Sequence, residues 1–508
     1  MIIVGLLLLQ RALAHLDGIK ILAATMDQGR SHASSFMPLL HRLQKDNHSV
    51  ALEMTIYEKE LSFSVHEEFI DMTGHPNPFK SEAFIHGMWT VEFDVFMQNQ
   101  IYKFGSQGCR QVVSDKPERL EEIARKGWHL VMVDSMFSTC GYGLAELSGA
   151  PVVILHSSDL EPAPGTMKAF GRNYGILPKN HMIYGVDDMN PARFWHRLLS
   201  SVEWFLGYYF YAIRWGGEMT EVLRPVLHRD FSYTAFHSSA AFSFVDLPDM
   251  LFPPAPRTND IFFHGSYCPK AHTLDEEWQQ FVENPTSKGT IIIAFGTYVD
   301  WSVAPREKRE AIRQAINELT DYRIVWSYKG VKDWRSPPIE VGPHVRMHEW
   351  IPQSGLLHHN KTMLIVTHGG LKSVREAICC AVPAIFMPFF AEQARNAFLV
   401  RRAGFAEMLD RHYLSKEIVL EKILSVISTT THADAARKFI SEMSDRIMPG
   451  LDEAAFHVNR LVKKRGPAQI TGLPDYFYPA GRKMDFGSYL NLDLIVALPL
   501  ALLTFLSL

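Results

Sequence analysis

Residues Val366–Ala377 read VTHGGLKSVREA, and the apolar run MLIV (363–366) leads into them. A β-branched run that stops at a histidine and two glycines, with a helical pattern beginning at once, predicts a buried strand turning directly into a helix. In open parallel α/β sheets, ligands lie at the carboxyl ends of the strands. The N-terminus of the next helix exposes unpaired N–H groups and carries partial positive charge. Glycine lets a phosphate come close to that backbone. Gly369, Gly370 and the amides after them therefore form a candidate diphosphate cradle. His368 stands where it can donate to a phosphate oxygen, and Ser373 adds a hydroxyl in the first helical turn. Glu376, further into the helix, can accept both hydroxyls of a ribose. The spacing Ser373-x-x-Glu376 also matches a capping box, which would serve only the helix.

The flanks extend the pattern. Upstream, EWIPQSGLL (349–357) offers Trp350 as a flat π-face for a uracil ring, stacking of a kind worth ~1–3 kcal/mol. Gln353 supplies an amide at the same edge. Downstream, VPAIFMPFFAEQ (382–393) reads as another strand whose loop carries Glu392 and Gln393, both able to bind sugar hydroxyls. Still earlier, IIIAFGT (291–297) is a strand ending in a glycine turn, and REKREAIRQAINELT (306–320) is a helix with an outer charged face. The strand YRIVWSYKG (322–330) follows.

The first half repeats the architecture without repeating the sequence. IKILAATMD (19–27) reads as a strand, SSFMPLLHRLQKD (34–46) as a helix and HSVALEMTIY (48–57) as a strand. HLVMVDSMF, CGYGLAELSG and APVVILHSS then give strand, helix and strand again. This β-α-β order predicts two doubly wound Rossmann-like domains of α/β class facing across a cleft. The Pro- and turn-rich stretch between them reads as a linker. One segment stands apart: WFLGYYFYAIRWGG (204–217) is either a packed helix, an amphipathic helix at a membrane face, or an apolar substrate wall.

With 508 residues the chain is too long for one core. Its 47% hydrophobic and 21% charged residues describe an ordinary globular protein, and its net charge of −4 argues against a nucleic-acid surface. The apolar start MIIVGLLLLQRALA, ending in Ala12-Leu13-Ala14, reads as a secretory signal peptide. At the other end, residues 494–508 carry no charge. As a helix at ~1.5 Å per residue they fall short of a bilayer core of about 30 Å. They read as a short membrane anchor, with a buried C-terminal helix as the alternative. The cysteines, Cys109, Cys140, Cys268, Cys379 and Cys380, are too few and too irregular for a disulfide framework or a zinc site, though one bridge could form. Two glycosylation sequons occur, at Asn47 and Asn360; the second falls near the candidate site, which argues against its use.

W-x-P-Q, T-H-G-G, S-x-x-E, V-P and an acidic residue followed by Gln together resemble the signature of the UDP-glycosyltransferases, the family that includes the UDP-glucuronosyltransferases of animals. The resemblance runs along nearly the whole chain. It implies a GT-B fold with the acceptor in the N-terminal domain and the UDP-sugar in the C-terminal one. It places Trp350 on the uracil, Gln353 near the ribose, Glu376 on the ribose, and Glu392 and Gln393 on the transferred sugar. His368, Gly369, Gly370 and Ser373 fall at the diphosphate, with Thr297 beside them.

The family's general base is a histidine in the loop after the first strand, which here is His32, and the carboxylate that orients it is Asp134. The resemblance implies inverting, metal-independent transfer of glucuronic acid or glucose from a UDP-sugar to a hydroxyl of a small lipophilic acceptor. No cofactor is implied, and the chain contains no Asp-x-Asp. It further implies an endoplasmic-reticulum membrane protein with lumenal catalytic domains, and it leaves a homo-oligomer open. Three departures stand out: Glu392 where Asp is usual, Lys372 where many members carry Asn, and no basic tail after the apolar C-terminus. A catalytically inactive UDP-sugar-binding protein of the same fold is the alternative. The expected organisation is a signal peptide at 1–14, an acceptor domain at 15–265, a linker at 266–287 and a donor domain at 288–445. C-terminal helices at 446–487 and an apolar anchor at 488–508 complete it.

Overall fold

The apolar runs form two separate parallel sheets in the computed structural model of the chain. It describes residues 18–58, 62–169, 190–329, 339–463, 474 and 477–506; the expected signal peptide lies outside them. The first sheet holds β1 (Lys20–Ala24), β2 (Ser49–Ile56), β3 (His66–Asp71), β4 (Leu130–Asp134), β5 (Val152–His156), β6 (Phe242–Val245) and β7 (Ile261–Phe263). Its order is β3-β2-β1-β4-β5-β6-β7. The second holds β8 (Thr290–Ala294), β9 (Arg323–Ser327), β10 (Val345–His348), β11 (Thr362–Thr367), β12 (Ala384–Phe386) and β13 (Ala406–Met408), in the order β10-β9-β8-β11-β12-β13. The strand pairs are parallel throughout both sheets. Helices on both faces bury β8 along its full length, which is why IIIA is an unbroken apolar run rather than an alternating one.

Strand order reverses between β1 and β4 in the first sheet and between β8 and β11 in the second. These are the two topological switch points, where the connecting chains diverge to opposite faces and leave a crevice.

The two halves interlock more than a linker reading suggests. Residues 266–287 include helix Glu276–Val282, whose Trp278 and Val282 are buried in a core shared with the second sheet. From the first half, helix Glu82–Thr90 inserts Met88 and Trp89 into the core around β8 and β9. Trp89 lies between Trp301 (ring centroids 4.9 Å) and Phe389 (4.8 Å), and its Nε1 donates to the Asp300 carbonyl at 3.1 Å. Helix Gly450–Lys463 returns to the first half, where Asp452 meets Arg42 at 2.5 Å and the Asn459 amide oxygen meets His48 at 2.7 Å.

Two expectations are corrected. The cysteines form two bridges, Cys109–Cys140 and Cys268–Cys379, leaving Cys380 as the free thiol. The partners lie 31 and 111 residues apart, so tertiary packing rather than sequence spacing brings them together. The exposed sequon residue Asn360 precedes β11 and therefore sits at the end of that strand opposite the His-Gly-Gly turn. At the C-terminus, helix Leu492–Leu506 forms, but among the described residues no helix is long and apolar enough to cross a membrane. The segment 204–217 continues helix Phe194–Tyr208 through a π-helical stretch, Tyr209–Trp215, into helix Gly216–Leu227.

Candidate active site

The crevice of the first sheet carries the histidine and the aspartate. β1 ends at Ala24, and the loop after it enters helix Arg30–Lys45, so His32 lies in the first turn of that helix. Asp134 is the last residue of the neighbouring β4 and is fully buried. Its Oδ2 sits 2.6 Å from His32 Nδ1, while its Oδ1 accepts from the Met136 amide at 3.1 Å. The Ser157 hydroxyl also meets His32 Nδ1, at 3.0 Å. Both of these contacts fall on Nδ1, so Nε2 is the ring nitrogen they leave unengaged.

Burial acts most strongly on His32 and opposes its protonation. Asp134, helped by Glu392 and Glu161, outweighs that effect and raises the imidazole pKa above its ordinary value. Glu392 comes from the other domain, so the charge environment of His32 spans the cleft. Burial raises the Glu392 carboxyl as well, only partly offset by its own backbone and by His32.

The second crevice carries the remaining candidates. His368 follows β11, and burial lowers its pKa to about 4, so it is neutral at physiological pH and donates through one ring nitrogen only. Its ring lies against two glycines. A Cβ on Gly370 would fall 2.5 Å from His368 Nε2, and Gly369, at φ +90°, would place one 2.8 Å from the Gln393 carbonyl. These contacts explain the doublet: one glycine makes room for the imidazole, the other for the loop after β12.

Gly370 caps helix Leu371–Cys379. The capping-box reading is thereby overturned, because Ser373 lies inside the helix. Instead the Gln353 amide nitrogen donates to Glu376 Oε2 at 2.6 Å and to the Ser373 hydroxyl at 3.1 Å. The structure thus brings Gln353, Ser373 and Glu376 into one cluster at the helix start.

Trp350 is 67% exposed at the mouth of this crevice. Thr297, at the turn after β8, is exposed, and its carbonyl accepts from Lys329 Nζ. Gln393 is more engaged than expected: its side-chain oxygen accepts from the Phe389 and Phe390 amides at 2.9 and 3.2 Å. It shapes the loop that presents Glu392, and its amide nitrogen is what remains for a sugar.

Several neighbours carry no signature in the sequence. Arg30 places its guanidinium 5.3 Å from the Trp350 ring centroid, across the cleft. Arg395, one turn after Glu392, forms a buried ion pair with Asp159, which lies two residues beyond Ser157. Phe137 lies 6.0 Å from the His32 ring and leads to Tyr102 at 4.8 Å. Gln28, Phe137 and Ala391 have φ of +50°, +63° and +55°. Each occupies a loop at the cleft, where backbone strain is tolerated because surrounding contacts over-determine it.

Two Rossmann-like parallel-sheet domains, with the candidate residues at facing switch points, define a glycosyltransferase of GT-B fold. Solved structures agree on the fold. The chain is similar to CalG4, the calicheamicin glycosyltransferase, with a TM-score of 0.58 and 17% identity over 88% of this chain and 99% of that one. It is similar to the glycotransferase of kitacinnamycin at a TM-score of 0.58 and 15% identity, over 87% and 99% of the two chains.

In sequence the chain is 25% identical to UDP-glucuronosyltransferase 2B9 of Macaca fascicularis, over 78% of this chain and 72% of that protein. It is 23% identical to UDP-glucuronosyltransferase 1A3 of Rattus norvegicus over 97% and 90%. The profile of the family described as UDP-glucoronosyl and UDP-glucosyl transferase matches residues 5–505, and the chain belongs to that family.

Proposed function

We propose that this enzyme transfers glucuronic acid or glucose from its UDP-sugar to a hydroxyl of a small lipophilic acceptor, with inversion at the anomeric carbon and His32 as general base. The observation that carries the reading is the 2.6 Å contact between His32 and the buried Asp134 at the first switch point. An alcohol or phenol is a poor nucleophile until its proton is removed. A histidine held in one tautomer by a carboxylate removes it through Nε2 and keeps the resulting positive charge beside Asp134. The acceptor oxygen then bonds to the anomeric carbon as the bond to UDP breaks, converting an α-linked donor into a β-glycoside.

In this reading Trp350 stacks on uracil, and Gln353 and Glu376 hold the ribose. His368, Gly369, Gly370, Ser373 and Thr297 meet the diphosphate, and Glu392 and Gln393 meet the sugar. UDP leaves with its charge received by the helix N-terminus and the neutral His368, and the proposal invokes no metal. The aromatic residues behind His32, Phe137 and Tyr102, suit an apolar acceptor.

The proposal places the enzyme at the endoplasmic-reticulum membrane with lumenal catalytic domains, held by the apolar C-terminal helix. Two disulfide bridges fit an oxidising compartment. Both sequon asparagines are exposed.

The test offers UDP-glucuronic acid and UDP-glucose separately to phenols and sterols in the presence of EDTA, with His32→Ala alongside. A β-glycoside from one donor, reduced ~10²–10⁴-fold by His32→Ala, is the expected result. Donor binding without product from either sugar would refute it.

A further inference from the structure

Helix Leu371–Cys379 turns two adjacent faces to two different partners. Ser373 and Glu376, three residues apart, share one face and meet Gln353 in the second crevice. Arg375 and Cys379, four apart, share the next face, and both are bound to the first half of the chain. Arg375 is 4% exposed. Its Nε donates to the Gly265 carbonyl at 3.1 Å, Nη1 to the Tyr267 hydroxyl at 2.6 Å, and Nη2 to the Asp246 carbonyl. Nη2 also pairs with the Asp246 carboxylate at 2.7 Å, and the guanidinium lies 4.3 Å from the Tyr267 ring centroid. One turn later Cys379 is bridged to Cys268, the residue after Tyr267.

These partners lie in the loops that leave β6 and β7 at their carboxyl ends. That is the end of the first sheet from which the chain presents His32 and Asp134. The two loops are themselves in close contact: a Cβ on Gly265 would lie 2.4 Å from the Asp246 carbonyl oxygen, an approach that only glycine admits. Leu371, Val374, Ala377 and Ile378 already seat the helix in the apolar core. A buried guanidinium adds little net stability to such packing, because desolvation offsets most of the attraction; what its hydrogen bonds supply is a fixed direction. In the sequence Arg375 reads as an ordinary charged helix residue, since those partners stand between 108 and 129 residues away.

We propose that Arg375 is a positioning residue for the donor: with the Cys268–Cys379 bridge, it fastens the ribose-holding helix to the acceptor domain and so sets Ser373 and Glu376 relative to His32. The inference rests on the assignment of Gln353 and Glu376 to the ribose. A helix tied to the acceptor domain along one face does not drift with the rest of the donor domain. The anomeric carbon, carried by the nucleotide that the helix grips, then keeps its place before His32, where a misplacement of about 1 Å can cost ~10²-fold in rate.

The test uses the full chain and compares UDP with 2′,3′-dideoxyuridine diphosphate, which lacks both ribose hydroxyls, by isothermal titration. Wild type should prefer UDP by about tenfold or more, because the analogue leaves Gln353 and Glu376 without their partners. Arg375→Met removes the fixed direction and should erase most of that preference, and Arg375→Lys should fall between. Tyr267→Phe removes one contact and keeps the ring, so it should fold and lower the preference about threefold. Each variant is also made with Cys268→Ala/Cys379→Ala, so that the bridge does not mask the arginine.

An arginine that serves stability alone would lower the melting temperature and leave the UDP-to-analogue ratio where it is. A ratio unchanged in both backgrounds by Arg375→Met and Tyr267→Phe therefore overturns the proposal, and Tyr267→Phe decides alone if Arg375→Met does not fold. A wild type with no preference for UDP refutes the ribose assignment, and this inference with it.

Discussion

His32 is held by groups from several elements: Asp134 from β4, Ser157 after β5, and the charges of Glu161 and Glu392. In the role proposed for it, His32 must be neutral to accept a proton. Because its pKa is raised above 6.5, kcat/KM should climb with pH through that raised value and level off above it. Glu161 is buried, 2.6 Å from His156 Nδ1 and 3.0 Å from the Ser135 hydroxyl, and it acts on His32 through its charge. Glu161→Gln should therefore move the acidic limb of the pH–rate profile to lower pH, with the alkaline plateau retained. An unmoved limb would remove Glu161 from the account. In the other crevice, Gly370→Ala should raise the donor KM at least about tenfold, because the added methyl meets the His368 ring at 2.5 Å. Isothermal titration with UDP separates that loss of binding from any loss of chemistry.

Among the elements, the strands and the helices beside the cleft were the most legible. Apolar runs such as IIIA and MLIV are short, β-branched and bounded by glycine or polar residues, and each became a buried strand. Helix Glu82–Thr90 carried no such signal. Its Trp89 belongs to a core formed mainly by the other domain, and Lys308 and Arg411 donate to carbonyls at its end, Trp89 O and Val91 O. Local periodicity cannot report a partner more than 200 residues away. Trp301 follows the Thr297 turn and Phe389 precedes Glu392, so Trp89 braces both donor-side loops. Trp89→Ala should cost ~3–5 kcal/mol in stability and raise the donor KM. Trp89→Phe should restore most of both, as thermal unfolding and steady-state kinetics would show. A lowered melting temperature with unchanged donor KM would limit Trp89 to packing.

Across the whole molecule, the domains are joined by buried charges as well as by apolar contacts. Arg395 meets Asp159, and Arg375 meets Asp246 at 2.7 Å while donating to the Tyr267 hydroxyl at 2.6 Å. Removing one member of a buried pair strands the other charge and costs ~3–5 kcal/mol, whereas replacing both with apolar groups of similar size is often close to neutral. Asp159→Leu should therefore destabilise strongly, and Asp159→Leu/Arg395→Met should recover much of the loss in denaturant melts. If the double variant is no more stable than the single one, the pair does not act as a unit. Turnover is expected to stay low in the double variant, because the pair links the Ser157 loop to the helix bearing Glu392.

The sequence by itself determined the two doubly wound domains and pointed to a set of candidate donor-site residues. Both depend on local chemistry: strand-length apolar runs, glycines where a backbone must be approached, and an acidic-Gln pair at a strand end. Tertiary structure alone decided the pairing of four cysteines, the Arg30–Trp350 and Asp159–Arg395 contacts, and the insertion of Trp89 into the opposite core. It also decided that the aromatic segment at 204–217 buries one face and exposes the other. Those features join residues distant along the chain, and their energies come from burial and charge pairing that exist only once the sheets have been brought together.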